Sequence, residues 1–166
     1  MKDLGSRRDQ RMNESLAVQK LMSRIEIDDQ LKRYCYFFDS NDIQGLRTLF
    51  TEDAEIDYGP EVPLLVGLEA IMTSISRGLT STFIATSHHL SNIIIEFDDE
   101  EHARTSSYVH AWHRYYAKAE IGYLWGQYSH TLRREAGTWK IETLKLRAVA
   151  TQDFHRETMH PVERAK

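Results

Sequence analysis

Asp39 is a carboxylate placed where a fold has little use for one. It closes the run Arg33-Tyr-Cys-Tyr-Phe-Phe-Asp-Ser-Asn-Asp42, at the end of an aromatic segment with helical spacing. The carbonyl end of a helix repels negative charge, and Phe37 and Phe38 would strip water from the carboxyl. Both effects raise its pKa unless a cation or an imidazolium lies close. The chain has eight histidines. An aspartate beside one of them makes a general base, because the carboxylate fixes the ring tautomer and offsets the charge that forms on it. Asp42 already serves as N-cap of the next short helix, so Asp39 is not needed for that role.

Two strand-like stretches carry the candidate imidazoles. In Ser87-His-His-Leu-Ser-Asn-Ile-Ile-Ile-Glu-Phe97, His88, Leu90, Asn92 and Ile94 share one face, while His89, Ser91, Ile93 and Ile95 share the other. Periodicity leaves open which face turns inward. Further on, Val109, Ala111, His113 and Tyr115 alternate with Tyr108, His110, Trp112 and Arg114. The first set is the more apolar, so His113 is the better inward candidate. A metal site would want a close ligand pair, such as His-x-His on a strand, and the spacing offers none; no metal is expected. The single cysteine, Cys35, excludes an internal disulfide and reads as a small packing residue.

The elements that must position these groups follow from pattern. Residues 1–14 are polar and irregular, an expected flexible arm. Ser23-Arg-Ile-Glu26 has the form of a capping box, and Ile27, Leu31, Tyr34 and Phe38 behind it mark one helical face. A short helix runs from Asp42 to Phe50. Ala54, Ile56 and Tyr58 alternate with Glu55 and Asp57 as a half-buried strand. A third amphipathic helix spans Leu68 to Leu79 and ends near Gly78. Long strands follow over about 86–97, 103–118, 121–135 and 138–150. Lengths well above the usual five or six residues require a bent or bulged sheet. Helices followed by a curved, mostly antiparallel sheet give an α+β class. Residues 15–150 form the domain. Residues 151–166 are a tail, a lid or a subunit contact, whose His155 and His160 read as surface residues.

A net charge of −4 with no concentrated basic patch argues against nucleic acid. No apolar run reaches the roughly 18–20 residues of a membrane span, and Met1-Lys-Asp-Leu-Gly-Ser-Arg-Arg-Asp lacks a signal-peptide core. The expectation is a cytoplasmic protein without a membrane partner. A curved sheet leaves an outer face needing cover, which suggests a homodimer or homotrimer.

The run Tyr34-x4-Asp39-x2-Asp42-x3-Leu46-x2-Leu-Phe-Thr-Glu-Asp-Ala-x-Ile-Asp-Tyr58, with His88-x3-Asn92 and Gly126-x-Tyr128 ahead of Gly137-x-Trp139, resembles the SnoaL-like branch of the nuclear transport factor 2-like superfamily. The likeness covers about residues 20–150. The catalytic patterns most similar to it are those of scytalone dehydratase, bile acid 7α-dehydratase and the lindane dehydrochlorinase. The resemblance implies a cone-shaped α+β barrel with an internal site and no cofactor. It puts Asp39 and His88 in the place of an Asp–His base. It likewise puts Tyr58 and Tyr34 at substrate-polarising tyrosines, and His113 at a second histidine. Phe38 and Tyr128 stand where the scytalone enzyme has a tyrosine and an asparagine. The expected walls are Phe38, Ile56, Leu90, Trp112 and Trp125, with Asn92 and Tyr128 on the substrate. The expected activity is a dehydratase-like lyase acting on a small hydrophobic, cyclic, steroid- or polyketide-like molecule. The alternatives are a ketosteroid-isomerase-like isomerase or cyclase, the non-catalytic small subunit of an aromatic-ring dioxygenase, and a ligand-binding protein.

Overall fold

The structure, a computed structural model, describes residues 3–163. Helix α1 (Asp3–Asp39) is followed by α2 (Ile43–Thr48), β1 (Phe50–Asp57), β2 (Leu65–Val66) and α3 (Leu68–Ser81). The long strands are β3 (Phe83–Phe97), β4 (His102–Tyr115), β5 (Gly122–Glu135) and β6 (Thr138–Gln152).

The irregular arm expected over residues 1–14 is a continuous helix from Asp3 onward; residues 1 and 2 lie outside the described part. Met12 to Met22 contains good helix formers and no proline, so the helix propagates instead of starting at Ser23. Ser23 is a buried residue inside α1 rather than a cap, and Glu26 pairs with Arg134 at 3.4 Å. Residues 12–22 are exposed, including Met12, Leu16, Val18 and Leu21. Beyond them one face of α1 buries Ile27, Leu31, Tyr34 and Cys35. Asp42 caps α2 as expected, its Oδ1 accepting from the Gly45 amide at 2.8 Å. Helix α3 passes Gly78 and ends at Ser81.

The six strands form one open sheet in the order β2-β1-β6-β5-β4-β3, with β1 parallel to β6 and the other pairs antiparallel. The fold is α+β, as the pattern indicated, and the cone is a curved sheet with two free edges. Register shifts accommodate the long strands, at Ser91/Ile94 in β3 and at Trp125/Gly126 in β5. At the second shift a Cβ on Gly126 would lie 2.5 Å from the Arg147 carbonyl oxygen, so only glycine allows that approach. The β3 shift exchanges faces: Ile95 is buried while Ile94 stands 59% exposed. On β4 the odd-numbered residues from Ala103 to Tyr115 are all buried, which turns His113 inward and His110 outward. Among the described residues no helix is long and apolar enough to cross a membrane.

Candidate active site

α1 packs against β3, and at its end Asp39 meets His88. Asp39 Oδ1 lies 2.6 Å from His88 Nδ1, and Oδ2 accepts the His88 backbone N–H at 2.7 Å. Thr86 donates its hydroxyl to Oδ1 at 2.7 Å. Burial alone would raise the Asp39 pKa. The hydrogen bonds from His88 and Thr86 and the charge of the ring outweigh it and hold the carboxyl below its usual value. The conflict posed by an acid at a helix end is thus resolved by an imidazole and two further donors. With Nδ1 engaged, Nε2 is the ring atom left for other partners.

The His88 ring lines a cavity of about 240 Å³. Its side chain is 6% exposed, against 24% for Asp39, so the acid sits behind the ring at the edge of the wall. Phe38 stacks edge-on to His88 at 5.0 Å. Tyr34 and Tyr58 also line the cavity, with their hydroxyls 2.7 Å apart. Burial raises both phenols, Tyr58 to about 12, so they remain neutral donors at ordinary pH. Because one hydroxyl donates to the other, one O–H is left to point elsewhere. Tyr128 completes this wall and is 2% exposed. His113 lies 5.4 Å from His88, ring to ring. Burial, aided by its histidine neighbours, lowers its pKa to about 3, and its buried Nδ1 has no hydrogen-bond partner among the described residues.

Five expected wall or substrate-contacting residues lie elsewhere. Trp112 and Trp125 are one step out of phase with the inward residues of β4 and β5. Trp125 is 39% exposed and stacks on His110 at 5.3 Å. Asn92 sits in the β3 bulge at φ 51° and is exposed. Ile56 is fully buried in the core and Leu90 packs against that core; neither reaches the cavity.

Several lining residues escaped the sequence reading. Helix α3 and its end contribute Ser74, Ile75, Arg77, Gly78 and Thr82, and Phe83 opens β3. The tail supplies Phe154, His155 and Arg156. After β6 it turns at Asp153 (φ 48°), where Lys118 holds the Asp153 carbonyl at 2.5 Å. His155 stacks near Phe83 at 5.0 Å and His113 at 5.8 Å, so it is a cavity residue, not a surface one. Arg156 donates from Nη1 to the Tyr58 carbonyl at 2.7 Å. His160 pairs with Asp57 at 3.0 Å, and the Ala148 N–H donates to the His160 carbonyl at 2.8 Å. The strap thus crosses the cavity from β6 to the end of β1. The tail lacks periodicity because it is held by scattered single bonds instead of by one repeating face. Its aromatic and cationic content, Phe154-His155-Arg156, was the one available signal.

The profile of the SnoaL-like domain matches residues 19–145. A candidate scytalone dehydratase from Novosphingobium aromaticivorans is 35% identical, with a TM-score of 0.84, covering 90% of this chain and 99% of its own. A hexachlorocyclohexane dehydrochlorinase, LinA type 2, is 18% identical (TM-score 0.78, 87% of this chain and 97% of its own). The LinA-type3 dehydrochlorinase of Novosphingobium barchaimii is likewise 18% identical (TM-score 0.76, 89% and 99%). The last two likenesses speak for the fold alone. No curated protein matches the chain.

Proposed function

This chain belongs to the SnoaL-like domain family, and from that premise we propose that it is a cofactor-independent lyase carrying out a dehydratase-type elimination. The substrate is a small hydrophobic, cyclic molecule bearing a hydroxyl β to a carbonyl. His88 Nε2 removes the proton from the carbon between them, and Asp39 holds Nδ1–H and offsets the imidazolium charge. The electron pair passes to the carbonyl oxygen as an enolate, which the free O–H of the Tyr34–Tyr58 pair stabilises. The enolate collapses, the C–O bond to the β-hydroxyl breaks, and the leaving group takes the proton to depart as water.

The observation that carries this reading is the 2.6 Å Asp39–His88 contact behind a ring that lines the cavity. A volume of about 240 Å³ lies below the roughly 300–1,000 Å³ of most ligand sites, favouring a compact ring system over a four-ring skeleton. The relative at 35% identity, a candidate dehydratase, supports the same class.

Burial keeps His113 unprotonated at neutral pH, so His88 itself returns the proton. That same constraint favours a second reading, isomerisation, in which the proton goes back to carbon and nothing leaves. Mass spectrometry of products from a panel of cyclic β-hydroxy carbonyl compounds and β,γ-unsaturated ketones separates the two. Elimination gives products lighter by one water, and isomerisation gives products of unchanged mass. If neither class is converted, or if His88→Ala turns over as fast as the wild type, the elimination reading is wrong.

A further inference from the structure

The charge lining the cavity is one-sided. Two arginines, Arg77 and Arg156, line it, and among the described residues no aspartate or glutamate does so. Asp39, behind the His88 ring, is turned to His88 and Thr86. Arg156 forms no ion pair among the described residues, and its only hydrogen bond is from Nη1 to the Tyr58 carbonyl. A guanidinium has five donor hydrogens, so most of its capacity is unused. Glu61, whose negative charge acts on it from outside ion-pair distance, is exposed and takes the Thr158 backbone N–H. Arg77, exposed at the rim, has no side-chain partner among the described residues.

A half-buried cation without a counter-ion is costly to maintain. Loss of hydration already lowers the Arg156 pKa. Its position is nevertheless fixed: the strap holds it over the Tyr58 ring, 5.6 Å from the centroid, beside the phenol pair. Rigid, desolvated and underused, the guanidinium fork matches a planar two-oxygen anion.

We propose that Arg156 is a carboxylate-binding residue, and that the substrate of this cavity is an organic acid whose ring lies toward His88 and whose carboxylate lies on the strap. Arg77 adds a positive potential at the mouth that draws such anions in. The inference rests on the elimination reading only for calling the ligand a substrate; the binding preference stands without it.

Calorimetric titration with naphthoate, cinnamate and indole-acetate, each against its own primary amide, tests it without a known substrate. In the wild type the acids bind at least about tenfold more tightly than their amides, as a charge-assisted bidentate contact requires. Arg156→Gln removes the preference and leaves amide affinity unchanged, whereas Arg156→Lys keeps part of it. Should no acid outbind its amide, or should the preference survive Arg156→Gln, the proposal is overturned. It also falls if Arg156→Gln weakens acid and amide alike, because the cation would then be structural. His88→Ala separates the two readings: it cuts turnover steeply but retains the acid preference. Turnover that depends on His88 without any acid preference would sink this inference alone.

Discussion

At the β3–β4 turn, Asp99 and His102 approach to 2.9 Å between Oδ2 and Nδ1, nearly as closely as Asp39 and His88 at 2.6 Å. The residue types match, and the same ring nitrogen is engaged. The surroundings do not match. Asp99 and His102 side chains are about half exposed, at 58% and 49%. Asp99 is occupied in closing its turn, accepting the backbone N–H groups of Glu101 and His102 at 2.7 Å each. The Glu101 amide first, then the His102 ring and the His102 amide, hold its pKa down. Asp39 likewise receives two donors besides the ring, but it is partly buried and backs an imidazole that lines a half-open cavity. An aspartate–histidine contact alone is therefore not distinctive, and burial of the ring beside phenols and apolar walls makes this one a candidate base.

The largest effect that would break this comparison is on turnover. His88→Ala and Asp39→Asn each lower kcat/KM by about 10²–10⁴-fold. In Asp39→Asn the amide can donate to Nδ1, which forces the proton onto Nε2 and removes the lone pair that faces the substrate. Asp99→Asn and His102→Ala leave steady-state kinetics within about twofold, since an exposed pair contributes little. Equal losses at both pairs would mean that neither is the base.

A smaller effect comes from the phenols. Tyr58→Phe removes one hydroxyl of the 2.7 Å pair and leaves Tyr34 as a donor. We expect a loss in kcat of about 10–100-fold, less than the removal of a sole oxyanion donor. An unchanged kcat with a raised KM would reassign Tyr58 to ground-state binding.

The smallest effect is on stability. His130 faces inward from β5, its Nδ1 3.0 Å from Thr105 Oγ1, and burial lowers its pKa to about 3. The unfolded chain binds that proton near pH 6.5. Its contribution is therefore whole above about pH 6.5 and is lost as pH falls toward about 3, because the unfolded state takes up the proton first. His130→Gln should show a shallower fall in urea midpoint between those limits. An identical slope would mean that His130 is protonated in the folded state.

Much of the site was readable from the chain because it hangs on regular elements. The α1 face through Tyr34, the β1 alternation and the apolar parity of β4 turned Tyr34, Tyr58 and His113 inward, while their gathering around Asp39 and His88 was implied only by the family resemblance. The misplaced residues share a different cause. Trp112 and Trp125 are attractive wall residues by type, but a one-residue step on a strand reverses the face. Asn92 was carried by a motif that runs into a bulge, where alternation stops. The capping box at Ser23 failed because a cap pattern can also occur inside a helix that simply continues.

The sequence by itself determined the helix faces, the strand boundaries to within a few residues, and the residue types available for proton transfer, since local periodicity and capping act over a few positions. Only the tertiary structure decided that His88 rather than His89 turns to Asp39, that β3 exchanges faces at its bulge, and that Phe154, His155 and Arg156 cross the cavity. Those outcomes depend on contacts between residues 39 and 88, or 58 and 156, far apart in the chain. Such contacts form only when the whole sheet has curved and its register is set, and no short-range pattern encodes that.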